Sequence, residues 1–243
     1  MGEGLKIVVV GATGLVGGVM LRVLEERGFG AATVMAAASQ RSVGRQIDFG
    51  GRHLVVMSVE DAIAARPDYA IFSAGAAASR QYAPLFSAVG TVVIDNSSAW
   101  RMDDKVPLVV PEVNMEAVSD GSRIIANPNC STIQMVLALS GLHRRYGIKR
   151  IVVSTYQSVS GSGQRGLSQL YAEEKDGVCP ASQMFYTHAI HRNVLPYGGD
   201  FLDDGYTTEE VKLVNETRKI LDDASLAVSA TVARVPVVGG HSE

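Results

Sequence analysis

The chain has 243 residues, 47% of them hydrophobic and 19% charged, the make-up of a globular protein with apolar mass for one large or two ordinary domains. Its formal net charge is −3 and its 22 Lys and Arg are scattered along the chain, so there is no electrostatic footprint for nucleic acid. The amino-terminal apolar run is too short for a signal peptide or a membrane span, and the two cysteines, Cys130 and Cys179, neither build a disulfide scaffold nor show zinc spacing; a cytoplasmic protein without a membrane partner or a metal is expected.

In chain order, "LKIVVV" at 5–10 reads as a fully buried strand. "GLVGGVMLRVLEERG" then reads as a helix with Val16, Met20, Val23 and Leu24 on one face and Gly28 as its stop. The connecting loop, "GATGLVG", spaces Gly11, Gly14 and Gly17 as G-x-x-G-x-x-G. Gly11 allows a tight turn, Gly14 allows close approach of a pyrophosphate, Gly17 allows close helix packing, and the helix start supplies amide donors to an anion. A dinucleotide is the expected ligand, because this pattern follows the first buried strand of an α/β region.

The second strand, in "ATVMAAAS", ends in "QRSVGR". An enzyme using NAD usually places an acid there for the adenosine ribose. Ser39, Arg41 and Ser42 stand there instead, offering a cation and hydroxyls to a 2′-phosphate, so NADP is expected. Further apolar runs at "DYAIFSAG", "TVVID" and "RIIA" alternate with helical segments such as "AASRQYAPLFSAVG", which predicts a parallel sheet wound by helices.

At "IIANPNCSTIQ" Pro128 forces an extended approach, and Ser131 and Thr132 start a helix that continues through Ile133, Met135, Val136, Leu137 and Leu139. Cys130 is thereby expected at a helix start, where the dipole and free amides favour a thiolate, as an acyl-transfer nucleophile requires. Cys179, in "DGVCPAS", has no partner signal and reads as structural or incidental. Beyond Cys130 the long β-branched runs "IKRIVVSTYQSVSG" and "LAVSATVARVPVV" indicate a second domain on a sheet with one exposed or partner-covered face. The expected architecture is α/β: a Rossmann-like NADP-binding domain over residues 1–131, then an α+β catalytic and dimerisation domain over 132–243.

Together "VVVGATGLVG", "FSAGAAASRQYAP", "VIDNSSAWRMDDKVPLVVPEVN", "IIANPNCSTIQ", "TYQSVSGSG", "EEVKLVNETRKIL" and "RVPVVGGHSE" resemble the aspartate-β-semialdehyde dehydrogenase family over nearly the whole chain. The related acetylglutamyl-phosphate reductases typically carry Gly before the nucleophile and an aromatic after it, where this chain has Asn129 and Ser131. An enzyme of that type, or a protein that binds NADP without catalysis, are the alternatives. Cys130, Gln157, Arg234 and His241 together argue for catalysis.

The resemblance implies reversible NADPH-dependent reduction of L-aspartyl 4-phosphate to the semialdehyde and phosphate, in the biosynthesis of lysine, methionine and threonine. It implies Cys130 as the thioester nucleophile, His241 as acid/base and Gln157 as the residue that orients the acyl group. It assigns Arg234 to the substrate carboxylate, Arg101 and Lys212 to phosphate and Glu209 to the ammonium group, with Asn129 also on the substrate. It adds Thr13, Leu15, Val16 and Gly75 to the nucleotide loop residues, brings Ser160 and Gly161 toward the nicotinamide, and implies a homodimer or a dimer of dimers. Because that family continues well beyond "RVPVVGGHSE", the chain is expected to be a portion of a longer protein.

Overall fold

The computed structural model describes residues 4–243. The chain divides between Pro128 and Asn129 into two units. That point lies just before the 131/132 boundary read from the sequence, because Asn129 caps the helix that opens the second unit.

The first unit alternates strands and helices: β1 (Lys6–Val10), α1 (Leu15–Glu26), β2 (Thr33–Ala37), β3 (Gln46–Phe49), β4 (Arg52–Val55), α2 (Val59–Ala64), β5 (Tyr69–Phe72), α3 (Ala76–Ala88), β6 (Val92–Asp95), the single turn α4 (Pro111–Asn114) and β7 (Ile124–Ala126). Five of the strands form a parallel sheet in the order β2-β1-β5-β6-β7. Strand β1 shows why it sits inside. Ile7 and Val9 pack with Leu21 and Leu24 of α1 on one face, while Val8 and Val10 pack with Ala62 of α2 and Ala83 and Phe86 of α3 on the other. Alternate side chains of a strand point to opposite faces, so a continuous apolar run is what a sheet covered on both sides demands. Phe72 of β5 meets Phe86 edge to face, with ring centroids 5.5 Å apart.

Helix α1 buries only part of the stripe its hydrophobic residues suggested: Leu24 is buried and Met20 packs against the core. Val16 and Val23 are exposed, and Gly17, Leu21 and Leu24 face the core. Gly17 decides the rotation: a Cβ there would lie 2.2 Å from the Gly11 carbonyl oxygen, so only glycine lets the helix approach the loop on that side. The hairpin β3–β4, not anticipated from the sequence, turns on Gly50 and Gly51, both at positive φ, and buries Phe49 against the α1 face.

The second unit contains α5 (Cys130–Tyr146), β8 (Arg150–Ser158), α6 (Gly163–Asp176), α7 (Thr208–Ile220), β9 (Ala227–Val235) and the short β10 (His241–Ser242). Its sheet has the order β10-β8-β9, with β9 parallel and β10 antiparallel to β8. Ile151, Val153, Ala230 and Val232 point to one face, where Met135 of α5 and Leu213 of α7 cover them. The opposite face presents Val152 and Tyr156, 74% and 53% exposed, beside Thr231. The alternation read from the two long runs is therefore realised as an α+β unit with one uncovered sheet face. Among the described residues, no helix is long and apolar enough to cross a membrane, and no cluster of His, Cys, Asp and Glu could hold a metal ion.

Candidate active site

In the first unit, the chain passes from β1 to β2 on one side and later to β5 on the other. The order of the sheet therefore reverses between β1 and β5, the point at which such sheets bind ligands at their strand ends. Two uncapped helix starts follow these strands: Gly14 precedes α1 and Gly75 precedes α3, and neither offers a side-chain cap. Both helices are long enough to present amide donors and a positive dipole end to an anion. Gly11, at φ 88°, closes the turn. Its amide donates to the Ala37 carbonyl at 2.8 Å, and a Cβ on it would lie 2.3 Å from the Ser73 carbonyl oxygen. Leu15 and Val16 stand exposed at the helix start. The loop thus fits a dinucleotide in backbone conformation and in the donors it leaves uncapped.

Beyond β2, the turn Gln40–Ser42 carries exposed Arg41 beside exposed Ser39, whereas Ser42 is buried and accepts a hydrogen bond from the Thr13 hydroxyl at 3.4 Å. Thr13 thus ties the glycine loop to the turn that bears the cation. Arg101 is buried in this unit, donating from Nε to the Asn127 carbonyl (3.0 Å) and from Nη2 to the Asn96 carbonyl (2.9 Å). Its guanidinium is held at the ends of β6 and β7.

In the second unit, exposed Cys130 is the first residue of α5. Asn129 is the N-cap, its Oδ1 accepting from the amides of Ser131 (2.9 Å) and Thr132 (3.4 Å). The Asn129 side chain is committed on its other side as well, since Nδ2 donates to Glu209 Oε1 at 2.6 Å. Cys179 is buried, with its sulfur 3.7 Å from the Pro180 carbonyl oxygen.

The register of the three-stranded sheet puts three of the expected residues in one row. Gln157 of β8 lies opposite His241 of β10 on one side and Arg234 of β9 on the other. Gln157 is buried and donates to the Ser131 hydroxyl at 3.3 Å, which ties the row to the start of the cysteine helix. Ser158 serves both outer members. Its amide donates to His241 Nδ1 (3.0 Å), and its carbonyl accepts from Arg234 Nη1 (2.8 Å). Ser160 Oγ accepts from the Gly239 amide (3.1 Å), holding the loop before β10. Gly161 packs against the row, because a Cβ there would meet Arg234 Nη1 at 2.9 Å and His241 Cε1 at 3.2 Å.

Burial, and then the Arg234 charge, hold the His241 pKa below its ordinary value, although the Gly240 carbonyl and Glu209 act in the opposite direction. For Glu209 burial pushes upward, but the Lys212 ammonium, the hydrogen bonds from Asn129 and Lys212 and the Arg234 charge outweigh it and leave the pKa lowered. Lys212 Nζ sits 3.1 Å from Glu209 Oε2, one helical turn along α7.

A cavity of about 530 Å³ opens against this row, bounded by Arg234, Glu209, Gly161, Tyr186, Tyr197 and Phe201. Arg234 is 6% exposed and its Nε is buried without a hydrogen-bond partner. A guanidinium and a carboxylate lining one cavity suit a ligand that carries both a carboxylate and an ammonium group. The aromatic wall was not anticipated from the sequence. The available signal was the run "FYTH" followed by "PYGGDF", aromatics in a loop with paired glycines; Gly198 lies so close to Val232 and Glu209 that a Cβ would come within 2.8 Å and 3.2 Å of them.

Residues 6–121 match the model of the semialdehyde dehydrogenase NAD-binding domain, and residues 139–243 match that of the semialdehyde dehydrogenase dimerisation domain. The aspartate-semialdehyde dehydrogenase of Aquifex aeolicus is 49% identical over 99% of this chain and 72% of its own length, and that of Legionella pneumophila is 47% identical over 100% and 71%. Among solved structures, Vibrio cholerae aspartate-semialdehyde dehydrogenase II complexed with ASA superposes with a TM-score of 0.92 at 45% identity, covering 98% of this chain and 72% of that one. The NADP complex of the Candida albicans aspartate-semialdehyde dehydrogenase superposes with a TM-score of 0.73 at 25% identity, covering 98% and 69%. With a glycine loop at the sheet's switch point, a cysteine at a helix start and this degree of identity along the whole chain, the chain belongs to the aspartate-semialdehyde dehydrogenases, a family of oxidoreductases.

Proposed function

We propose that the protein catalyses the reversible reduction of L-aspartyl 4-phosphate to L-aspartate 4-semialdehyde and phosphate with NADPH, through a thioester on Cys130. The observation that carries this reading is the row His241–Gln157–Arg234 across β10, β8 and β9, tied through Ser131 to the helix that begins with Cys130. The ASA-bound relative supports the substrate, and the NADP-bound one supports the cofactor together with Ser39, Arg41 and Ser42.

The Cys130 sulfur attacks the acyl carbon, a C–S bond forms, and the C–O bond to phosphate breaks. A helix N-terminus favours the thiolate this step needs. NADPH, when bound, supplies the hydride that reduces the thioester carbon. Hydride addition leaves a thiohemiacetal oxyanion on Cys130, which re-forms the carbonyl as the C–S bond breaks, releasing the aldehyde and the Cys130 thiolate. In the oxidative direction His241, its neutral form favoured because its pKa is lowered, takes the hydroxyl proton of the thiohemiacetal on Cys130.

Arg234, which lines the cavity, clamps the substrate carboxylate. Glu209, kept ionised, receives the ammonium group. Gln157 orients the acyl oxygen beside the cysteine, and Lys212 and Arg101 serve phosphate. Gly11, Gly14, Gly17 and Gly75 would hold the nucleotide phosphates, with Thr13, Leu15 and Val16 around them, while Ser160 and Gly161 bring the row to the nicotinamide. The uncovered face of β8 and β9 forms the homodimer contact, in keeping with the dimerisation-domain match. The test is NADP reduction by the purified protein with aspartate semialdehyde and phosphate. Turnover that persists after phosphate is omitted, or that is absent with all three present, overturns the reading.

A further inference from the structure

Helix α7 carries a second buried carboxylate that the chemistry above does not use. Its inward stripe is Glu209, Leu213, Glu216, Thr217 and Ile220, so two acids seven residues apart lie on one face of the helix. Glu216 is 1% exposed, and it is not among the residues that bound the cavity. Enclosing a carboxylate at such a position is costly unless it is hydrogen-bonded, so its partner indicates its role. Glu216 Oε2 accepts from the backbone N–H of Asn129 at 2.6 Å.

Asn129 is therefore held from α7 at two points: its peptide by Glu216 and its side-chain amide by Glu209. The remaining side-chain oxygen caps α5, and the next residue is Cys130. Helix α7 is itself fixed. Thr207 and Glu210 form a capping box at its start, Glu210 Oε1 accepts from the Val232 amide at 3.2 Å, and Leu213 packs in the core of the β8–β9 sheet. The two grips differ in one respect. Glu209 faces the cavity, where a substrate ammonium group competes with Asn129 for its oxygens, whereas Glu216 keeps its hold whatever the cavity contains.

We propose that Glu216 is a positioning residue for the Cys130 nucleophile, acting through the Asn129 peptide to keep the cap and first turn of α5 in place while Glu209 engages substrate. The inference rests on the reading of Cys130 as nucleophile. Because Cys130 is exposed and Cys179 buried, the rate of iodoacetamide alkylation in the intact protein, with Cys130→Ser as blank, reports the thiol directly.

Glu216→Asp keeps the charge and withdraws the acceptor by one methylene; Glu216→Leu removes the acceptor; Glu216→Gln retains one oxygen. Displacing a reacting group by an ångström costs about a hundredfold in rate, so Asp and Leu should each lower kcat and alkylation by roughly tenfold or more, with KM for semialdehyde within about twofold of the parent and Gln restoring most of the loss. Alkylation and kcat equal to the parent in Glu216→Asp, or a loss expressed as a raised KM, overturns the proposal. If Cys130→Ser is inactive while the Glu216 variants alkylate and turn over like the parent, this inference fails and the nucleophile reading stands; an active Cys130→Ser overturns that reading itself.

Discussion

The backbone amide of Ser158 lies 3.0 Å from Nδ1 of His241 and donates to its lone pair in the tautomer that carries its proton on Nε2. The Gly240 carbonyl oxygen lies at the same distance from Nδ1 and accepts from it whenever that nitrogen carries a proton, as it does in the imidazolium. The ring therefore has a backbone partner in either protonation state, the condition a group must meet to take up and release a proton in place. Ser158 also holds Arg234 through its carbonyl, so one residue sets the spacing of the His241 ring and the Arg234 guanidinium.

For pH dependence the sign follows from the lowered His241 pKa, whose largest cause is burial. A depressed histidine pKa keeps the neutral base available to lower pH than an ordinary imidazole does. The acid limb of kcat/KM in the oxidative direction should therefore have its midpoint below about 6.5, with activity lost as the pH falls through it. His241→Asn should remove that limb and lower kcat by about a hundredfold or more. A midpoint above 6.5, or an unchanged limb in the variant, would contradict the assignment.

Cofactor choice should depend on exposed Arg41. Removing a charge-assisted contact to a 2′-phosphate costs about 1.5–3 kcal/mol, so Arg41→Ala should weaken NADP by roughly tenfold or more and leave NAD within about twofold. Fluorescence titration with both nucleotides measures this. Equal weakening of the two would mean that Arg41 shapes the turn after β2 and makes no contact with phosphate.

Gly17→Ala puts a methyl group where a carbonyl oxygen already stands, and backbone cannot yield as a flexible side chain does. Overpacking of this kind costs about 1–3 kcal/mol, so the denaturant midpoint should fall, and NADP affinity should fall with it because the glycine loop moves. Gly18→Ala, at a position where a Cβ meets nothing within 4 Å, is the matched control and should leave both measurements close to the parent.

Much of the nucleotide half was legible because its signals are local: an apolar run, a glycine spacing and a proline before a cysteine each specify their own few residues. The buried stripe of α1 was legible only in part: Met20 and Leu24 pack as expected, but composition also favoured Val16 and Val23 while the approach of Gly17 to Gly11 set the rotation. The hairpin β3–β4 was missed because "DFGGRHLV" carries one glycine pair and little alternation. In the second half, "TTEEVKLVNETRK" is charged along much of its length. Pattern alone could not show that Glu209 and Glu216 fall on its inward stripe, where both pair with Asn129, about eighty positions away in the chain. Long-range polar pairing leaves no local periodicity to read.

Arg234→Lys keeps the charge and loses the planar fork. The native guanidinium donates Nη1 to the Ser158 carbonyl while the side chain lines the cavity, whereas a single ammonium group cannot serve that carbonyl and a carboxylate together in the same geometry. The KM for semialdehyde should rise by about tenfold or more, the loss expected for a charge-assisted bond, with a smaller fall in kcat. An unchanged KM would remove Arg234 from the carboxylate.

The aromatic wall of the cavity should depend on two buried side chains one turn apart on α6. Gln169 Oε1 accepts from the amides of Phe185 (2.7 Å) and Tyr186 (2.8 Å), and Glu173 Oε2 accepts from those of Ile190 and His191 (both 2.8 Å). Gln169 Nε2 donates to Glu173 Oε1 at 2.7 Å, locking the pair. They act as a polar rail for a loop that lacks regular hydrogen bonding of its own. Each buried amide left unpaired costs about 1–3 kcal/mol, so Glu173→Leu should destabilise the protein by a few kcal/mol and expose the amides of Ile190 and His191 to rapid hydrogen exchange. Gln169→Ala should act closer to the site: with the Phe185 and Tyr186 amides released, Tyr186 loses its set position against the cavity, and KM should rise more than kcat falls. Slow exchange of the amides of 185–191 in both variants would show that the loop is held by its own packing and that the rail is dispensable.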